Sequence, residues 1–189
     1  MSLIFGIYLL SGKERLLDQA KRILKVFLQE KNYERLFHVV AVAHHTFTSY
    51  IAGQCTEAVI LGSLCTVGML IFRFPYAPMV GALVGATALL PIIGAYIGAF
   101  VGAFMILTVS PGQVIPFICF LVILQQVEGN LIYPKVVGSS VGLPGMWILA
   151  AVTVGGGLWG IPGMLIGVPM TATVYKLFSE YIHTREKER

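Results

Sequence analysis

The chain has 189 residues, of which 57% are hydrophobic and only 12% charged, with a mean hydropathy of +0.83. Those figures exclude an ordinary soluble domain and indicate a membrane protein with several spans. The net charge of +4 and the pI near 9.0 do not point to nucleic acid, because the basic residues alternate with acidic ones and flank apolar segments.

Glu128 and Lys135 are the only charged residues between Phe74 and Tyr175. The uncharged run from Phe74 to Val127 would measure roughly 80 Å as one helix, against a hydrocarbon core of about 30 Å, so it must turn back. The run from Val136 to Tyr175 makes the same demand. Lipid offers no partners to open backbone, and no alternating ten-residue segments occur, so the spans are expected to be helices rather than barrel strands. The predicted fold class is therefore all-α: a polytopic membrane protein with broken or re-entrant helical hairpins and a cytoplasmic amphipathic helical region.

In chain order, Met1 to Leu10 is apolar but too short to span and lacks a basic start or cleavage site. Residues 1–12 read as the end of a transmembrane helix that begins upstream. Residues 13–50 read as cytoplasmic amphipathic helices. Leu16, Ala20, Ile23, Leu24 and Phe27 share one face, and Leu36, Val39, Val40, Ala43, Phe47 and Tyr50 another, with a break expected at Asn32. His44 and His45 point about 100° apart on a helix and have no third ligand nearby in sequence, so no metal site is expected. Cys55, Cys65 and Cys119 show no CxxC spacing and read as small buried hydrophobes.

The transmembrane domain is expected over 51–178, with spans at about 55–72 and 114–133 and broken hairpins at about 79–109 and 146–175. Gln54 and Glu57 open the first span, where Glu57 either favours the helix dipole or faces a cavity. The first hairpin is interrupted at Leu90-Pro91-Ile92-Ile93-Gly94, and Gly94, Gly98 and Gly102 form a small-residue stripe that suits close helix packing. The second span ends in a polar band. On an α-helix Gln125, Glu128 and Ile132 would share one face, and Gln126 and Asn130 the adjacent one. Tyr133-Pro134-Lys135 is expected to end that helix, which leaves a Glu128–Lys135 pair as an alternative to a cavity-facing Glu128. The second hairpin is interrupted at Gly155-Gly156-Gly157, Gly160, Pro162-Gly163 and Pro169. Residues 179–189 form a charged tail. The Lys and Arg residues flanking the spans place both the amphipathic region and the tail on the cytoplasmic side. If both broken segments are re-entrant, they enter from opposite faces as an inverted repeat, the architecture that places a transport site near the midplane.

Four stretches carry a resemblance: SYIAGQCTEAVILG from Ser49 to Gly62, FPYAPMVG followed by LLPIIGAYIG, QQVEGNLIYPKVVGSSVGLPG, and GGGLWGIPGMLIGVPMTATVYK. In this order they resemble the autoinducer-2 exporter (AI-2E) family. The resemblance implies a transporter of the bacterial inner membrane assembled as a homo-oligomer, with members associated with export of the quorum-sensing signal autoinducer-2 and others with sodium- or lithium-for-proton antiport. It also implies further N-terminal helices, making this chain the C-terminal half of a longer family protein.

The leading expectation is a transporter of a small polar solute or ion, in contact with the lipid bilayer and needing no cofactor. Its path would be lined by Gln54, Glu57, Gln125, Gln126, Glu128 and Asn130. The breaks at Pro91 and Gly94, and at Gly160, Pro162 and Gly163, would present backbone groups to it. Glu128, a carboxylate amid apolar sequence, is the candidate proton or cation carrier. A non-transporting scaffold is the rival, and no HExxH, GxSxG or paired-Asp motif suggests an enzyme or catalytic residues.

Overall fold

The computed structural model describes Lys25 and residues 29–91, 93–138 and 142–187. The first expected transmembrane segment, residues 1–12, and the first amphipathic face, from Leu16 to Phe27, lie outside the described residues. The chain divides into two compact units, Met1–Val42 and Ala43–Arg189.

The all-α expectation holds: the described residues contain no strand. Helix α1 runs from Glu30 to Ile71, without a break at Asn32 or Gly53. Asn32 lies within its first turn and its N–H donates to Gln29 O at 2.9 Å, so the helix starts at Glu30, just before the expected break. Helix α2 covers Ala77–Ala88, α3 Ile93–Leu107 and α4 Val114–Val127, the last preceded by a 3-10 turn at Pro111–Gln113. Two π-helical turns, Glu128–Ile132 and Pro134–Gly138, continue α4. The segment α5, Gly145–Lys187, is two helical arms that meet at Gly160.

Most large apolar side chains face outward. On α3 Tyr96, Phe100 and Phe104 are exposed at four-residue steps, while Gly94, Gly98 and Gly102 on the opposite side are buried. That inverts the soluble pattern and suits contact with lipid. Cys55 and Cys119 also face outward, and only Cys65 is buried, contrary to the reading of all three as core residues. By length and composition Asn32–Ile71, Pro111–Gly138 and Gly145–His183 could each cross a membrane. The third of these folds back on itself.

The end of α1 shows why the chain reverses there. Phe74 N–H donates to Met69 O and Arg73 N–H to Leu70 O, a Schellman pattern in which Arg73 takes the left-handed position at φ 56°. Helix α2 then returns antiparallel along α1. Gly85 abuts Ala58 O and Gly62, and Gly81 abuts Gly62 O and Thr66, so the two backbones touch across glycine. At the next tip a Cβ on Gly94 would fall on Thr87 O, and Gly98 and Gly102 continue the contact against Val84 and Val80. Helices α2 and α3 are thus a tight antiparallel hairpin with Pro91 at its tip. Phe74, Phe117 and Phe120, joined by Phe72, close the opposite end, with Phe74 and Phe117 edge to face at 5.9 Å.

The arms of α5 form the second hairpin. Gly155 abuts Gly163, and Gly167 abuts Ala151, so the contacts step outward symmetrically from the bend. The second arm runs antiparallel to α1: Val168 and Ala172 join the core cluster around Tyr50, and Lys176 Nζ donates to Thr46 Oγ1 at 3.4 Å. The α2–α3 tip points toward the N-terminal end of α1, and the α5 bend points the other way. Gly160 sits at φ 64°, ψ −140°, a conformation open to glycine and costly for other residues. Gly160→Ala is therefore expected to destabilise the fold by about 1–3 kcal/mol, read as a lower melting temperature in detergent. An unchanged melt would show that the bend can relax.

Candidate functional site

A cavity of about 320 Å³ lies where four elements converge. Helix α1 contributes Gln54, Glu57 and Leu61, and the first hairpin contributes Val84, Ala88, Leu90, Pro91 and Ala95. Gln125, Glu128, Gly129 and Tyr133 come from α4 and its π turn, and Gly145, Ile148, Leu149 and Val152 from the start of α5. The walls are mostly apolar, with the polar groups supplied by α1 and α4.

Gln54 and Glu57, three residues apart, share one face of α1 and are only 4% and 3% exposed. Gln54 Nε2 donates to Leu89 O at 3.5 Å, which ties α1 to the hairpin tip, and its Oε1 is buried without a partner. Glu57 Oε2 is likewise buried without a partner. Glu57 and Glu128 line the same cavity, close enough for each carboxyl to feel the charge of the other. Two carboxylates so placed repel and neither can donate, so the pair needs a proton or a cation between its oxygens. Buried polar atoms without partners are costly, which marks the cavity rather than the packed core as the place for a polar occupant.

The π turn decides which residues of α4 reach the cavity. Tyr133 N–H donates to Glu128 O, five residues back, so the helix widens by one residue at that turn. Tyr133 rather than Ile132 therefore joins Gln125 and Glu128 on the lining. Widening also carries the helix through Pro134, where a break was expected, up to Gly138. A regular 3.6-residue period leaves Tyr133 off this face; the proline after it is the one signal in the sequence that the period changes here.

Of the residues singled out in the sequence, Gln54, Glu57, Pro91, Gln125 and Glu128 line one cavity. Gln126 and Asn130 do not. They are exposed and bond each other, with Asn130 Nδ2 donating to Gln126 O at 2.8 Å and to its Oε1 at 3.3 Å. Gly94 is buried in the hairpin contact. Gly160, Pro162 and Gly163 belong to the second bend and are not among the cavity lining, and Gly163 packs on Gly155. Lys135 also stands outside the lining.

These features define a polytopic, all-helical membrane protein with a mostly apolar cavity, carrying a few buried polar groups, at the tip of a helical hairpin. Residues 1–183 match the AI-2E family transporter profile, and the chain belongs to that family. It is 33% identical over 136 residues to YrrI of Bacillus subtilis, covering 72% of this chain and 38% of the relative. PerM of Escherichia coli K12 is 30% identical over 169 residues, covering 88% of this chain and 46% of the relative. The Synechocystis protein sll0060 is 26% identical over 183 residues, 95% of this chain and 50% of its own length. YrrI and sll0060 bear the names of transport proteins, and PerM that of a permease. The chain spans half or less of the length of each of these three relatives. No solved structure matches.

Proposed function

We propose that this chain carries the substrate site of a transporter in the bacterial plasma membrane, moving a small polar solute and coupling that movement to a proton or cation. The observation that carries the reading is the convergence of Glu57 and Glu128, with the unpartnered Gln54 Oε1, in a cavity lined by the Pro91 hairpin tip. Ionisable groups within membrane-spanning helices are expensive and serve solute or proton paths. Two hairpins of opposite direction suit a site reached alternately from either side. The amphipathic region and the C-terminal tail then face the cytoplasm, and the working unit is a homo-oligomer of the longer protein. Autoinducer-2 export and sodium-for-proton exchange are the two activities this site would be tested against.

The test is proton flux in proteoliposomes under a sodium gradient, followed with a trapped pH-sensitive dye, for a full-length relative and its Glu128→Gln equivalent. The replacement is expected to lower flux at least tenfold and flatten its pH dependence. An unchanged rate and pH profile would remove the carrier role from Glu128. If the unaltered protein moves neither protons nor autoinducer-2, the scaffold reading stands instead.

A further inference from the structure

Thr46, Tyr50, Gln54 and Glu57 follow one another at steps of four, four and three residues, so they lie in line along one face of α1. All four are buried. At one end of this stripe Gln54 and Glu57 line the cavity, and at the other Lys176 Nζ donates to Thr46 Oγ1. The two ends are about 16 Å apart along the helix. Lys176 is half-buried near the end of the third candidate span, and an ammonium so placed keeps water about it.

Tyr50 stands between the two ends. Its ring packs with Val168 and Ala172, and Tyr133, Ile148 and Val152 belong both to that cluster and to the cavity wall. Tyr50 is therefore directly behind the wall, and close enough to Glu57 to feel its charge. Tyr50 OH, Gln54 Oε1 and Glu57 Oε2 are each buried without a hydrogen-bond partner. Three such atoms at successive turns of one face are costly unless water joins them, and buried water takes its bonds from groups of this kind. A phenol both donates and accepts, so it continues a hydrogen-bonded file that an aliphatic side chain would end.

In the opposite direction the same face turns apolar. Leu61, Cys65 and Met69 continue it, are buried, and join Phe74 and Phe117 in the other core cluster. The Cys65 thiol is taken up by Met69 Sδ at 3.9 Å. The cavity thus has a polar exit toward Thr46 and an apolar seal toward Met69.

We infer that a file of buried water runs along the Thr46, Tyr50 and Gln54 face of α1 and carries protons between the cavity carboxyls and the Lys176 end, with the Tyr50 hydroxyl as its link. This rests on the transporter reading of the cavity and adds the route by which its protons come and go. A proton released by a carboxyl bonds to the nearest water oxygen, and each water hands on one of its own. Tyr50 takes one proton at its oxygen as it gives up another, so every group in the file ends as it began.

Water-edited solid-state NMR of this chain in lipid bilayers, with carbon-13 in Thr, Tyr, Glu, Leu and Cys, reads the file directly. Water magnetisation is expected to reach the Thr46 and Tyr50 side chains as fast as Glu57, and Leu61 and Cys65 at least threefold more slowly. A Tyr50 ring as slow as Cys65 would overturn the file. Proton flux under a sodium gradient is then compared for a full-length relative with tyrosine at this position and for its Tyr50→Phe equivalent. Phenylalanine keeps the ring and removes the link, so flux is expected to fall at least tenfold while the melting temperature stays within a few degrees. The water measurement needs no variant, so it decides even where Tyr50→Phe folds poorly. Flux that depends on Glu128 yet survives Tyr50→Phe overturns the route and leaves the transporter reading in place, whereas a relative that moves no protons removes both.

Discussion

Glu57→Gln and Glu128→Gln are each expected to lower transport at least tenfold, and the double replacement to be no more than about threefold worse than the poorer single. Two groups that hold one proton or one cation between them act as a unit, and removing either removes the function of both, so their effects do not add. Stability should move the other way. Two carboxyls lining one mostly apolar cavity repel when charged, and an amide at either position removes that repulsion while keeping the shape. The singles should therefore melt at or above the temperature of the unaltered protein. Flux in proteoliposomes set beside melting curves in micelles checks both halves. Losses that multiply would show two independent roles, and a parallel fall in melting temperature would show that the pair serves the fold.

Gly163→Ala is expected to unfold the second hairpin, whereas Gly157→Ala, six residues earlier, should be neutral or stabilising by up to about 1 kcal/mol. A Cβ on Gly163 would fall on Gly155 O and meet Trp159 Cβ at 3.0 Å, and one on Gly155 would fall on Gly163 O in return. The obstruction is backbone on both sides, so no side chain can swing away; the arms must separate. Separation loses the Gly167 contact with Ala151 and loosens the cluster of Val152, Val168 and Ala172 around Tyr50. Overpacking costs about 1–3 kcal/mol, and backbone on both sides puts this case at the upper end. Gly157 has open space where its Cβ would go. Fluorescence-detected size exclusion after heating compares the two directly, and equal survival would mean that the arms part without consequence.

Membrane residence and helical class are legible from composition alone, because hydrocarbon leaves an uncharged run of fifty or more residues no other way to satisfy its backbone. Two interruptions are legible too: Pro91 and Gly160 stand at the two tips because one cannot continue a regular helix and the other tolerates φ 64° with ψ −140°, a combination costly for any other residue. Rarity of charge in apolar sequence picks out Glu128, and its place in the lining rests on that same cost. The polar residues around it were harder to sort. Gln125 and Gln126 are adjacent and chemically identical, yet one lines the cavity and the other bonds Asn130 on the outer surface. No local rule separates them, since which face of a helix is inward depends on its neighbours.

What the sequence determined by itself is the solvent this chain folds in, its helical content, the breaks at Pro91 and Gly160 and the rarity that marks Glu128, though not which of the other prolines would be carried within a helix. Only the tertiary structure decided that Glu57 and Glu128 share one cavity, that Tyr133 replaces Ile132 on the lining, and that the Pro91 tip lines it too. The physical reason is that the first set follows from the cost of exposing backbone or charge to hydrocarbon, which each residue incurs alone. The second follows from helix packing through glycine and from a one-residue widening at Glu128, which set distances between residues far apart in the chain.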